Sequence, residues 1–276
     1  NAIAEQVIHL LENETERHAM RKRAYEYGRQ MIWSNVVEQY AKAFERARDE
    51  SFQKPVRRRG VRPLELTKGE LPEIKLDHLQ RLTDDTGILQ HAIFSVPNYD
   101  EGYTVDDNAR AVVLTVLLEE LGAGGSQLVR SLQSLYLAFL SHAWNRETGR
   151  FHNFMSYDRR WLEETGSEDS HGRAMWALGI VAGRSRYGSL RGFASRLFDE
   201  ALPSCLTFRD SRAWAYSLLG IMEYMRRFYG HRAAQEARMD LANRLLTLFE
   251  ENAKGDWLWF EDFLTYGNAR LPHALF

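Results

Sequence analysis

Four places in this chain carry two acids side by side: Asp84-Asp85, Asp106-Asp107, Glu168-Asp169 and Glu261-Asp262. Two carboxyl groups held roughly 5 to 10 Å apart are the usual apparatus of glycoside cleavage, one as acid and the other as nucleophile or base. Tyr103, Trp161, Trp257 and Trp259 lie close to these pairs, and aromatic faces beside carboxylates suit a polyhydroxylated ring. The favoured acid/base combination is Asp106 or Asp107 with Glu168 or Asp169. His152, in the aromatic-rich run 151–161, could exchange a proton near neutral pH. Two plainer roles compete: acids ahead of helices are caps worth about 1 kcal/mol each, and a histidine is more commonly a hydrogen-bonded structural residue.

A second pattern runs beside the first: a polar residue, a spacer, an arginine, then Ala or Leu. It occurs as Asn108-Ala109-Arg110-Ala111, His171-Gly172-Arg173-Ala174, Asp210-Ser211-Arg212-Ala213 and Asn268-Ala269-Arg270-Leu271. Asn108, Arg110, His171, Arg173, Asn268 and Arg270 are therefore candidate ligand contacts, as are Asp84, Asp85, Glu261 and Asp262. Ion pairs to the neighbouring acids are the competing role of the arginines, since an arginine near an inner helix must be paired. His91 and His171 lack metal-site spacing, so neither metal nor cofactor is expected. Cys205, the single cysteine, excludes a disulfide framework and reads as a small buried residue.

The elements that must position these residues are helices. Apolar spacing predicts helices over 109–121, 128–144, 174–187, 192–202, 212–229 and 233–252, with another opening at Ala269, and stop signals at Gly122, Gly188 and Gly230. Only 151–161 reads as a possible strand. Residues 1–48 carry two or three amphipathic helices, with Asn13 and Ser34 as candidate caps. Residues 49–76, with Arg57-Arg58-Arg59 and Pro55, Pro63 and Pro72, read as a linker. The unevenly spaced polar repeats suit helical hairpins with loops of variable length. In an (α/α) toroid the inner helices all start at one rim, so residues ahead of those starts would be gathered around a central funnel. The fold class expected is all-α, helical hairpins forming a complete or incomplete (α/α) toroid over 77–276.

Two resemblances are more specific. The order Ala2-Ile3-Ala4-Glu5-Gln6-Val7-Ile8-His9-Leu10-Leu11-Glu12-Asn13, then Arg17-His18-Ala19-Met20, Ala24-Tyr25-Glu26-Tyr27-Gly28 and Ile32-Trp33-Ser34-Asn35-Val36-Val37, resembles the C-terminal helices of GT-B-fold glycosyltransferases of the large retaining family four. There Trp33 would open the helix leaving the second Rossmann domain. The stretches 82–92, 101–111, 166–174 and 265–272 together resemble the region downstream of the transferase domain in large bacterial members, which is similar to the six-hairpin toroids of glycosidases and sugar epimerases. The resemblance implies an upstream nucleotide-sugar transferase domain in the parent chain, with the donor site before Asn1. It also implies a toroid truncated at its C-terminus, with two further hairpins to follow.

Composition adds exclusions. A formal charge of −2 from 36 basic and 38 acidic residues gives no argument for nucleic acid. No apolar run is long enough to span a bilayer, and a cytoplasmic location is expected. The primary expectation is a toroid that binds or processes glycans through an acidic and aromatic rim. Alternatives are a non-catalytic glycan-binding or scaffolding module, an epimerase-like domain using His152 with His171, and a TPR-like interaction array. The chain is expected to be a piece of a longer protein and to self-associate through the apolar flank of its last hairpin, which an incomplete toroid would leave exposed.

Overall fold

The computed structural model describes residues 2–29, 33–53 and 74–276. It divides into two compact units, Asn1–Leu71 and Pro72–Phe276. In the first, α1 (Ala2–Glu12), α2 (Glu14–Gly28) and α3 (Trp33–Gln53) follow one another. The Asn13 side chain caps α2 by accepting from the Glu16 N–H at 3.1 Å. Ser34 lies inside α3, whose first residue is Trp33, so it is not the cap expected of it. α3 also runs past residue 48 into the expected linker. The rest of that linker, including the arginine run, falls on residues 54–73, outside the described residues.

The second unit is built from helical hairpins. α4 (Asp77–Leu82) leads into three of them: α5 (Val105–Leu121) with α6 (Ser126–Ala143), α7 (Glu168–Arg184) with α8 (Gly188–Cys205), and α9 (Ser211–Met225) with α10 (Arg232–Asn252). α5, α7 and α9 pack side by side, each backed by its own hairpin partner, and the short α11 (Arg270–His273) rests on α9. The central helices are buried on most faces, hence their long apolar runs such as Ala174–Ala177 and Leu178–Ala182.

α7 and α9 are in backbone contact. A Cβ on Gly179 would stand 2.0 Å from the Gly220 carbonyl oxygen, so only glycine fits there. This close approach brings the first turns of the two helices together.

The first turns are capped by their own sequence. Thr104 accepts from the Asp107 N–H, Ser167 from Ser170 and Asp210 from Ala213. α5 and α7 consequently start earlier than apolar spacing alone indicates, and the acids and arginines of the polar repeats lie inside the first two turns instead of ahead of them. Gly122 ends α5 in the left-handed conformation expected of a C-terminal stop. Gly188 instead opens α8, and Gly230 lies beyond the end of α9.

Short antiparallel pairs brace this end. β1 (Ala92–Ile93) pairs with β2 (Val96–Pro97), β3 (Tyr103–Thr104) with β6 (Phe154–Met155), and β4 (Trp144–Asn145) with β5 (Arg150–Phe151). The expected strand character of 151–161 resolves into β6, the end of β5 and a bridge from Met155 to Trp161. Asn153 joins the braces to α5: its carbonyl accepts from Val105 N–H at 2.9 Å and its side chain from Asp106 N–H at 3.3 Å. No described helix is long and apolar enough to cross a membrane.

Candidate binding cleft

The N-terminal turns of α5 and α7, the loop before α9 and Tyr266 enclose an open cleft of about 650 Å³. Arg173 is its pivot. It is the sixth residue of α7, with a side chain only 11% exposed, and its Nε lies 2.6 Å from Asp169 Oδ2 and 3.1 Å from Asp106 Oδ1. Asp169 Oδ1 also accepts from the Tyr266 hydroxyl at 3.1 Å. Arg110, sixth in α5, is more exposed and pairs with Asp107 at 2.6 Å and Asp106 at 3.3 Å.

The four acids of the favoured acid/base combination take different jobs. Asp107 accepts from the Thr104 hydroxyl at 2.6 Å while its own N–H donates to that hydroxyl, a reciprocal cap. Glu168 accepts from the backbone N–H groups of Arg209 at 2.7 Å and Asp210 at 2.8 Å, clasping the start of α9 to the start of α7. Asp106 and Asp169 are left facing each other across Arg173. Because both touch the same Nε, their oxygens cannot be farther apart than the sum of the two distances, nearer the ~5–5.5 Å of double-displacement glycosidases than the wider gap of inverting ones. The guanidinium, however, occupies the space between them, where a scissile bond would have to lie. This is a gripping arrangement more than a cleaving one.

Asp106 is the electrostatically unusual member. Burial raises its carboxyl above the usual range; Arg173 and Arg110 pull it back, and Asp107 and Asp169 add to the rise. Its Oδ1 is buried and has no hydrogen-bond partner among the described residues, Arg173 being near but poorly aligned. Tyr266 is raised by burial and by the Asp169 charge.

Beneath the acids lies an alternating stack that the polar repeats alone did not reveal. The Arg173 guanidinium sits 4.3 Å over the Tyr216 ring, Tyr216 stacks on Trp176 at 5.8 Å, and Arg270 covers Trp176 at 4.5 Å. Trp176 follows Arg173 by three residues and Tyr216 follows Arg212 by four, so each shares a helix face with its arginine. That spacing was the available signal.

The remaining candidates go elsewhere. Arg110 and Arg173 are each the sixth residue of their helices, whereas Arg212 is the second of α9 and Arg270 the first of α11, so the four repeats are not equivalent. Arg212 binds Glu261, the Tyr266 carbonyl and Asn268. Burial pushes the Glu261 carboxyl up, but its bonds to Arg212 and Ser211 win and hold it low. Asn268 is used internally, accepting from the Thr265 N–H. Asp262 is exposed. Trp257 donates to the Glu261 carbonyl, and Trp259 packs edge-on against Phe260. Asp84 accepts from the Tyr103 hydroxyl and the Thr86 N–H in a tight turn, and Asp85 pairs with Arg159 at 2.7 Å.

Several expectations are overturned by burial. Tyr103 is 1% exposed and offers no sugar-stacking face. Asn108 is fully buried, its amide oxygen accepting from Ile88 N–H and its amide donating to the Thr104 carbonyl. His171 is fully buried against Phe151, Phe208 and Trp144, where desolvation and the nearby Arg150 push it down to about 3. His152 binds the Glu163 carbonyl through Nδ1 and stacks on Trp161 at 4.8 Å. Trp161 also meets Phe139 edge-on at 5.8 Å. With His171 sealed in the core, the two histidines cannot flank a sugar as an epimerase pair. Cys205 is buried and its thiol pushed up to about 12 by burial.

Among the described residues no cluster of His, Cys, Asp and Glu could hold a metal ion. Comparison with models of protein families, with curated proteins and with solved structures finds no match to this chain.

Proposed function

We propose that residues 77–276 belong to an (α/α) toroid that binds a glycan at the N-terminal ends of its inner helices, in a parent protein carrying a cytoplasmic glycosyltransferase domain upstream. The observation that carries the reading is the cleft itself. Asp106 and Asp169 offer carboxylate acceptors, Arg110 and Arg173 offer donors, and Tyr266 offers a hydroxyl, all converging from separate segments on an open space of about 650 Å³. Donors and acceptors interleaved in this way match a ring bearing many hydroxyls. Binding without turnover is the form the geometry favours, because Arg173 would have to leave the Asp106–Asp169 gap before hydrolysis could occur there.

The test is a glycan-array screen on the chain, with product analysis of any hit and the Asp106→Asn variant in parallel. Binding by the parent and at least a tenfold loss in the variant supports the reading. No binding across the array, or equal binding by both, overturns it, and product release would convert the cleft into an active site.

A further inference from the structure

We propose that the β1–β2 hairpin is a docking finger whose Phe94 enters the pocket between α6 and α8 of a second copy of this chain. The tip of the finger is apolar and open to solvent. Ile93 and Val96 pair across it and are 64% and 65% exposed, and Phe94, the first of the two turn residues between them, is 98% exposed. Single exposed apolar side chains need no explanation, but three gathered on one hairpin tip mark a contact surface.

Phe94 also holds an unfavourable backbone. Its φ is 56°, in the left-handed region, and Ser95 does not share it. This is the pattern of a type II′ turn, whose first central position belongs to glycine. A bulky side chain at positive φ is strained, and such strain persists at sites that use the side chain. The base of the finger is closed twice, by Asn98 N–H donating to the His91 carbonyl at 2.9 Å and by Gln90 N–H donating to the Gly102 carbonyl at 2.8 Å. Asp100 and Glu101 fall between these two ties, and both are exposed. The finger thus sets an aromatic tip on an acidic base.

The complement lies on the outer helices of the same unit. Where β4 follows α6, a pocket of about 190 Å³ opens against α8. Trp144, Phe193 and Leu197 give it apolar walls, and Arg146 and Arg196 contribute exposed guanidinium groups. Glu200, the one acid in its lining, is already engaged: it accepts from Trp144 Nε1 at 3.2 Å and lies 3.4 Å from Arg146 Nε. An apolar cavity of about 150 Å³ takes up a benzene ring, so a phenyl side chain fits this pocket. Asp100 and Glu101 behind that phenyl match Arg146 and Arg196 in charge, which steers the approach and fixes its register. At 98% exposure Phe94 does not reach the pocket of its own chain, so the finger that fills it comes from another copy. A knob on one surface and its socket on another make a head-to-tail contact, which closes into a ring, the smallest being a reciprocal pair, or grows as a filament.

The test is analytical ultracentrifugation of the full chain, with Leu117→Glu and Leu121→Glu in every sample to remove the exposed leucines of α5 as a second contact. An average mass that rises above the monomer with concentration is expected. Phe94→Gly relieves the turn and so keeps the fold, yet should weaken association at least tenfold. Arg146→Glu with Arg196→Glu, both on the surface, should do the same. One of these variants retains its pocket and the other its finger, so an equimolar mixture should form one-to-one dimers that neither forms alone. A chain monomeric at every concentration, association of Phe94→Gly equal to that of its parent, or a mixture that stays monomeric would each overturn the proposal. Binding of a monomeric chain to phosphatidylcholine vesicles, abolished by Phe94→Gly, would overturn it too by giving the finger a lipid partner.

Discussion

Asp106 of α5 and Asp169 of α7 meet at a single nitrogen, the Nε of Arg173, at 3.1 and 2.6 Å. This contact ties the first turn of α5 to that of α7. Arg173→Ala would leave two poorly solvated carboxylates without their shared counter-charge and would bare the Tyr216 ring. A stability loss of about 2–4 kcal/mol in urea unfolding is expected. Arg173→Lys should recover only part of it, since an ammonium lacks the planar fork and stacks less well on tyrosine. A loss under about 0.5 kcal/mol would place the network in the class of solvated surface pairs.

Asp106 also sets a pH dependence. Its folded-state value is raised above the unfolded reference of 3.8. The stability it contributes is therefore fully present below that reference and is lost as pH rises through the folded value. Asp106→Asn should flatten this part of the stability profile and be at least as stable as the parent at neutral pH. A variant less stable at neutral than at acidic pH relative to the parent would show that the Arg173 and Arg110 attractions outweigh burial.

The helical architecture was legible because the apolar runs of α5, α7 and α9 are long; the caps Thr104, Ser167 and Asp210 were not read as such, and α5 and α7 begin earlier than expected for that reason. The convergence of Asp106, Asp169, Arg110 and Arg173 followed from the polar repeats. What the repeats did not tell was which acid would do which job, because that depends on helix position. Asp107 is placed to reach back to its cap, and Glu168 is placed to clasp the next loop. His171 and Asn108 wear the same polar pattern as the cleft residues, yet each is the fourth residue of its helix and turns into the core.

Burial of His171 predicts acid sensitivity of opposite sign to that of Asp106. Its folded value, down to about 3 from 6.5, means that the stability it contributes is present above 6.5 and is lost as pH falls toward the folded value. Over that window the loss is roughly 5 kcal/mol. His171→Phe keeps the aromatic contacts and gives up the bond to the Ala201 carbonyl, costing about 1 kcal/mol at neutral pH. Its acid-unfolding midpoint, followed by circular dichroism, should move to lower pH. An unmoved midpoint would assign acid unfolding to other groups.

Leu114, Leu117 and Leu121 form a stripe on α5 that is 37%, 39% and 71% exposed, in line with Arg110. An apolar stripe on the exposed flank of α5 is a natural contact for another helix. Concentration-dependent association is expected in sedimentation equilibrium, and Leu117→Glu with Leu121→Glu should reduce it at little cost in stability. A monomer at all concentrations would mean that the stripe is too narrow to hold a partner.

Two glycines make a matched test of the packing that brings the cleft together. At Gly179 an added Cβ meets the Gly220 carbonyl oxygen at 2.0 Å, and the obstacle is backbone, which cannot swing aside. Gly179→Ala must push α7 from α9 and with it Arg173 from Tyr216. A loss of about 3 kcal/mol or more, with weakened glycan binding, is expected. Gly192 lies inside α8 with nothing within 4 Å of the same position. Gly192→Ala should instead stabilise by about 0.5–1 kcal/mol through helix propensity and the unfolded chain's lost freedom, and leave binding untouched. If both substitutions were tolerated alike, α7 and α9 would not be in backbone contact in solution, and the geometry of the cleft would have to be redrawn from that point.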